Sequence, residues 1–265
     1  MKEAILSRLS PDYPWKDRLN WFDSIGSTND HLKALARQGA PHGTAVIADH
    51  QTGGKGRMGR SFESPAGKGV YLSLLLRPSA APEQLMHLTC AAAVAMCDAL
   101  EAACGIRPGI KWTNDLVWGK RKLGGILTEL GLGTGGTVDY AIIGIGINCC
   151  QQGEDFSPEV RGIATSLASI AGAPVEIPGV AAAMLEALHR ADSILLPQKE
   201  AILQQYRGNC ITLGKSVSVV RGSQIRHGNA LDVDENGALV VAFSDGTSEA
   251  VNSGEVSVRG MYGYV

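Results

Sequence analysis

Eight consecutive residues, Gly53-Gly54-Lys55-Gly56-Arg57-Met58-Gly59-Arg60, interleave three cations with four glycines. Glycine lets backbone N–H groups come close to a bound group, and Lys55, Arg57 and Arg60 add positive charge around that concavity. Such a loop suits a phosphate or a carboxylate. A solvated, flexible loop that happens to be basic has the same composition, so the stretch alone leaves both readings open. It is no P-loop, because Lys55 is followed by Gly56 rather than Ser or Thr, and no GxGxxG opens a helix here.

Two further stretches carry chemistry. Lys111-Trp112-Thr113-Asn114-Asp115-Leu116 puts a lysine, an aromatic, an amide and a carboxylate side by side, and Arg121-Lys122-Leu123-Gly124-Gly125-Ile126-Leu127-Thr128-Glu129 follows. A lysine in that setting can stabilise charge on a phosphoryl or acyl group in a transition state. Asn114 and Asp115 can bond a substrate or orient the lysine, and Gly124-Gly125 lets backbone approach a ligand. An Asn-Asp β-turn with Trp112 in the core explains the same residues without function. In Gly144-Ile145-Gly146-Ile147-Asn148, alternate glycines clear one face of a strand, to be filled by a ligand or by a close-packed helix.

The elements that must position these residues follow from periodicity. Trp21 to Ile25 reads as a strand; Ser27-Thr28-Asn29-Asp30 offers an N-cap for a helix through Ala36, stopped at Gly39. Thr44 to Ala48 and Val70 to Leu76 read as buried strands, the first delivering the chain into the basic loop. Pro82 opens a helical pattern through Ala103. Ile110 to Leu130 reads as a strand, a turn near Gly119-Lys120 and another strand, and Val138 to Ile147 as a third. Successive strands without a helix between them imply an antiparallel portion of sheet, hence an α+β or mixed-sheet fold. A short helix is expected over Ala164 to Ala171, and one or two more over Gly179 to Tyr206, interrupted at Pro197. From Gly214 onward, short alternating segments predict a small all-β module of about five strands, barrel-like.

At 265 residues the chain can bury a full core, as one large domain with an appendage or as two domains. The first residues, with two prolines and mixed charge, are expected to form only a short amphipathic turn around Ile5, Leu6 and Leu9. A formal net charge of −2 argues against a general nucleic-acid binder. The six cysteines show no CxxC or zinc-like spacing, and Cys90, Cys97 and Cys104, seven apart, fall on one helical face as small buried residues. No signal peptide and no stretch of membrane-spanning length is evident, which points to a reduced, cytoplasmic setting.

In combination and in order, these segments resemble the biotin protein ligases, also called biotin–acetyl-CoA-carboxylase ligases. The resemblance runs from Trp21 to Arg259. Ser27-Thr28-Asn29 is similar to the family's STN segment, Gln51 with Gly53 to Arg60 to its Q-x-x-G-R-G-R-x-G-R loop, Lys111 to Leu116 to KWPNDL, and Gly144 to Asn148 to GxGIN. Gly254 to Arg259 resembles the closing segment of the family's C-terminal SH3-like module. Lys55 stands where the loop usually carries its first Arg, replacing a planar bidentate donor by a point charge, and Thr113 replaces the usual proline.

The resemblance implies an α+β fold: a mixed, largely antiparallel sheet with flanking helices, class II synthetase-like, plus a small SH3-like β-barrel. It divides the chain into an extension (1–20), a catalytic domain (21–210) and the small module (211–265). It implies activation of biotin by ATP, with Mg²⁺, to biotinyl-5′-AMP, and transfer to a lysine of a biotin carboxyl carrier domain of a carboxylase. Lys111 and Arg57 are the implied catalytic residues. Biotin is expected at Ser27, Thr28, Asn29, Gln51, Gly54, Lys55, Arg57, Lys111, Gly124, Gly144 and Gly146. The nucleotide is expected at Arg57, Arg60, Trp112, Asn114, Asp115, Lys122, Asn148 and Arg259; no protein metal ligands are assigned. Only Met1 to Asn20 precede Trp21, so no helix-turn-helix domain and no specific DNA binding are expected, nor a membrane; a homodimer is allowed. A lipoate or octanoate ligase, and a biotin- or nucleotide-binding module without turnover, are the alternatives.

Overall fold

The structure, a computed structural model, describes residues 1–252 and 257–260. Its centre is a seven-stranded sheet of β1 (Leu19–Ile25), β2 (Ala45–Gln51), β3 (Gly69–Leu76), β4 (Gly109–Lys111), β5 (Asp115–Trp118), β6 (Arg121–Leu132) and β7 (Val138–Asn148). The spatial order is β1-β2-β3-β7-β6-β5-β4. Only β1 and β2 run parallel, because helix α2 (Thr28–Arg37) crosses between them; the other pairs are antiparallel. The mixed sheet expected from strand succession is therefore present. Ile110 to Leu130 divides into three strands rather than two, with β4 set apart from β5 by the turn at 112–114.

Both faces of the sheet are covered. On one lie α3 (Leu88–Cys104), α5 (Ile177–Ile194) and α6 (Lys199–Asn209), packed against Leu72, Leu74, Leu76, Ile143 and Ile145. On the other, α2 seats Leu32 and Ala36 over Val46, Leu75 and Ile142 at one end only. The remainder of that second face is left for the site. Ser27 starts α2 as the sequence requires, its hydroxyl accepting from the Asp30 N–H at 3.4 Å. The helical pattern opened by Pro82 is broken: one tight turn, Pro82–Leu85, precedes α3, which ends at Gly105 in the left-handed region (φ 68°).

Contrary to expectation from sequence, the segment Pro82–Cys104 is long and apolar enough to cross a membrane by length and composition, yet 72% of its apolar window is buried inside the fold. Its apolarity is that of a core helix touching neighbours on all sides. Cys90 and Cys97 are buried in it as expected, and burial pushes the Cys97 thiol up to about 12.

The N-terminal segment is more than a surface turn. Helix α1 (Lys2–Leu6) buries Ile5, and the chain after it buries Leu9, Tyr13 and Trp15, in the main core, and an Arg8–Glu176 ion pair joins this segment to the start of α5. A short helix α4 (Leu167–Ala171) forms inside the expected range. The C-terminal strands β8 (Ser216–Arg221), β9 (Gln224–Val233), β10 (Leu239–Phe243), β11 (Ser248–Val251) and β12 (Ser257–Gly260) form an antiparallel sheet in the order β11-β10-β9-β8-β12. A barrel-like module is expected; among the described residues the five strands form one small antiparallel sheet with β11 and β12 at opposite edges, and no closed barrel is found.

Ile5 is fully buried, so Ile5→Ala leaves a cavity. A loss of about 2–4 kcal/mol is expected, read as a lowered urea midpoint; an unchanged midpoint would show that the segment is not part of the core.

Candidate functional site

The floor of the site is set by strand register. On the open face, Tyr71 of β3, Gly146 of β7 and Gly125 of β6 form one row, and Ser73, Gly144 and Leu127 the next. Side chains alternate along each strand, so two glycines in β7 and one in β6 hollow the middle of the sheet. The hollow is partly occupied from above. A Cβ on Gly144 would stand 2.0 Å from Asn29 Oδ1, and one on Gly146 would stand 2.4 Å from the Phe62 ring. The start of α2 packs over one glycine, as the close-packed-helix reading has it, a loop aromatic packs over the other, and a cleft runs between them.

At the α2 end the cleft wall is polar and nearly neutral. The Thr28 N–H and hydroxyl both donate to Gln51 Oε1 (2.9 and 3.0 Å), and Gln51 Nε2 donates to Ser64 Oγ (2.9 Å), which fixes the amide. The buried Ser73 hydroxyl lies 2.8 Å from Thr28 Oγ1 and 2.5 Å from Asn29 Oδ1. Asn29 Nδ2 donates to Glu129 Oε2 at 2.8 Å, and Lys33 Nζ sits 2.5 Å from Glu129 Oε1. Thr28, Asn29 and Ser73 are all buried, so these bonds replace water that folding removes.

The other wall is cationic. The basic loop is a hairpin: Phe62 N donates to Gly54 O (2.9 Å), Gly56 N to Arg60 O (2.7 Å), and Lys55 faces Ser61. From its tip Arg57 reaches across the cleft, Nη1 donating to Asn114 Oδ1 at 3.0 Å. Asn114 is itself held by Ile126, accepting from its N–H and donating from Nδ2 to its carbonyl (3.0 and 2.8 Å). Burial lowers the Arg57 pKa, Asp115 opposes that shift and Arg60 adds to it. A bound anion would favour the charged guanidinium and so offset the desolvation. Lys122 pairs with Asp115 at 2.6 Å, and Lys55 with Asp30 at 2.6 Å; the latter bond raises the Lys55 pKa. Lys111, at the end of β4, completes the cationic lining.

The Trp112–Thr113 peptide is cis, and the turn it begins is tied down on the side away from the cleft. Tyr206 OH donates to Thr113 O (3.0 Å), Trp112 N to Thr212 Oγ1 (2.9 Å) and the Trp112 indole to Gly237 O (3.0 Å). The small C-terminal sheet thus buttresses the segment that carries Lys111.

Of the residues singled out in the sequence, Ser27, Thr28, Asn29, Gln51, Lys55, Arg57, Arg60, Lys111, Trp112, Asn114, Asp115, Lys122, Gly144 and Gly146 line this one cleft. Three do not line it. Gly124 pairs with Ile147 and faces the helical core; Gly125 takes its place on the cleft floor. Gly54 is required by the hairpin, where a Cβ would meet Phe62 O at 2.3 Å. Asn148 ties the strand end to the loop beyond it, donating to Thr165 O (3.0 Å) and accepting from Gln151 Nε2 (3.0 Å). Arg259 lies in β12, but its side chain is outside the described residues. The sequence reading missed Phe62, and of the Gly124-Gly125 pair it assigned biotin to Gly124 where the cleft has Gly125. The partner demanded by Gly146 was the available signal for the first; for the second, only the register decides. Among the described residues no three His, Cys, Asp or Glu side chains gather as metal ligands.

The face assignment has a stability signature. Gly124→Ala drives a Cβ to 2.6 Å from the Gly146 carbonyl, whereas at Gly125 the nearest atom is the flexible end of Lys122, 3.2 Å away. Gly124→Ala is expected to cost about 1–3 kcal/mol and Gly125→Ala under about 1 kcal/mol in urea unfolding; the reverse order would invert the floor.

Known proteins share this architecture. Residues 21–148 match the model of the Biotin/lipoate A/B protein ligase family, and residues 212–259 that of the Biotin protein ligase C terminal domain. The chain is 36% identical over 229 residues to the Bifunctional ligase/repressor BirA of Bacillus subtilis, covering 86% of this chain and 70% of that one. It is 32% identical over 248 residues to the Biotin–[acetyl-CoA-carboxylase] ligase of Mycobacterium tuberculosis, covering 91% and 89%. The biotin protein ligase of Aquifex aeolicus, solved in complex with biotin and ATP, superposes with a TM-score of 0.77 at 29% identity, over 91% of this chain and 98% of that one. With relatives 36% and 32% identical, matched over 70% and 89% of their own length, the chain belongs to the Biotin/lipoate A/B protein ligase family and carries a match to the biotin protein ligase C-terminal domain.

Proposed function

We propose that this protein is a biotin protein ligase: it activates biotin with ATP and transfers it to a lysine of a biotin carboxyl carrier domain. The observation that carries the reading is the opposition of the two walls. A neutral array of fixed donors and acceptors, Thr28, Asn29 and Gln51, suits a polar uncharged ring, and the cations opposite suit a carboxylate meeting a triphosphate.

In the first step a biotin carboxylate oxygen attacks the α-phosphorus and pyrophosphate leaves. Two unit negative charges about 4 Å apart repel by about 4 kcal/mol at an effective dielectric of about 20, so fixed positive charge must hold them together. Lys111 and Arg57 supply it, the lysine from the end of β4 and the guanidinium from the hairpin, already oriented by Asn114. In the second step a neutral lysine amine attacks the acyl carbonyl of biotinyl-5′-AMP, forming the amide and releasing AMP. Magnesium enters as part of the nucleotide substrate; with no carboxylate cluster among the described residues, the triphosphate oxygens and water are the fitting ligands. The finer architecture we infer is a class II synthetase-like domain over residues 21–210, preceded by the 1–20 extension and followed by an SH3-like module over 211–265.

Incubation with biotin and MgATP should release pyrophosphate and, with a carrier domain, add one biotin to its lysine by mass spectrometry. Lys111→Ala should lower the rate of adenylate formation by about 10²–10³-fold while the fold persists. Absence of pyrophosphate release, or labelling by lipoate in preference to biotin, would overturn the assignment.

A further inference from the structure

The tip of the basic hairpin is a two-residue turn, and the backbone there disagrees with the residue that occupies it. Arg57 to Arg60 close the turn through Arg60 N donating to Arg57 O at 3.2 Å, and both central residues have positive φ: Met58 at 54° and Gly59 at 74°. Positive φ at both central positions marks a type I′ turn, whose twist suits a tight hairpin and which favours Asn-Gly or Gly-Gly. Gly59 fits. Met58 is the only non-glycine residue at positive φ among the described residues, and an L side chain with a Cβ clashes there with the following carbonyl. Its side chain does not repay that strain by burial, being 64% exposed. Arg57, next to it, is the residue that spans the cleft to Asn114.

We propose that Met58 is a positioning residue that holds the hairpin short of its most stable turn, and so sets how readily Arg57 lifts from the cleft to release the adenylate or expose it to the incoming lysine. The proposal rests on the ligase reading for its consequence, but not for its mechanism. The strained tip raises the open population of the hairpin. A residue that tolerates positive φ keeps Arg57 seated longer; a β-branched residue unseats it more often. The turn is thus set for turnover rather than for retention of the intermediate.

Four variants separate backbone from side chain: Met58→Asn and Met58→Gly accept the left-handed region, Met58→Ala keeps the clash but removes the thioether, and Met58→Val worsens the clash. Hydrogen exchange of the Gly56, Arg60 and Phe62 amides in the ligand-free protein reports hairpin opening without any need for activity. Met58→Asn is expected to raise their protection by roughly 3- to 10-fold, Met58→Gly by less because glycine also widens the open ensemble. Met58→Ala should stay within about 2-fold of the native chain, and Met58→Val should lose protection. With biotin and MgATP, release of biotinyl-AMP should slow in the same order, the amplitude of the pyrophosphate burst staying constant. If Met58→Ala moves protection as far as Met58→Asn, the thioether and not the turn is at work, and the proposal fails. Failure of the native chain to form adenylate defeats the ligase reading instead, leaving the exchange order to decide the turn.

Discussion

The structure depends on one steric fact: two adjacent strands, β7 and β6, leave three positions without a side chain at the middle of one sheet face. Gly125 and Gly146 pair there, with Gly144 one row along, and the residues with chemical character are arranged around the space they leave. A methyl group at Gly144 would displace Asn29, and one at Gly146 would displace Phe62. The first shift would loosen the polar wall and the second the root of the hairpin. The same alternation that clears this face packs Leu72, Ile143, Ile145 and Ile126 against the helices behind it, so the hollow has a rigid back.

Charge is distributed to suit that hollow. The net charge of −2 conceals a local excess of cations, two of which hold a carboxylate at the cleft rim: Lys55 on Asp30, Lys122 on Asp115. These are partly exposed pairs of modest strength, so an anionic ligand can compete for the lysines without undoing the fold. Arg57 is different. It is partly buried and donates to the Asn114 amide; desolvation disfavours its charge, Asp115 opposes that shift, and an arriving anion adds to what Asp115 supplies. Preorganisation here comes from distance in sequence: Asn114 orients Arg57, Ile126 orients Asn114, and Gly237 and Thr212 anchor the intervening turn.

Much of this was legible before any fold was known, because some residue types carry their environment with them. Alternating glycines demand a bare strand face, Ser27 before an amphipathic stretch demands a helix start, and clustered arginines between glycines demand an anion or water. Other features were illegible for equally physical reasons. The N-terminal segment looked too short to matter, but Trp15 and Ile5 are buried by partners on α5, at the other end of the sequence. The apolar run through α3 looked ordinary and proves long enough for a membrane; only its neighbours show it to be a core helix.

By itself the sequence determined the inventory: which residues bear charge, where backbone is left bare, which segments are strands or helices. These are local properties, set by the side chain and the one or two residues beside it. The tertiary structure alone decided which glycine of Gly124-Gly125 faces the cleft, that Asn29 meets Glu129 one hundred residues away, and that Gly54 and Asn148 serve the hairpin and the strand end. Strand side chains alternate with a period of two, so a register shift of one residue exchanges the faces, and register is settled by the pairing of β6 with β7. The inventory can be read one residue at a time; the face each residue presents cannot.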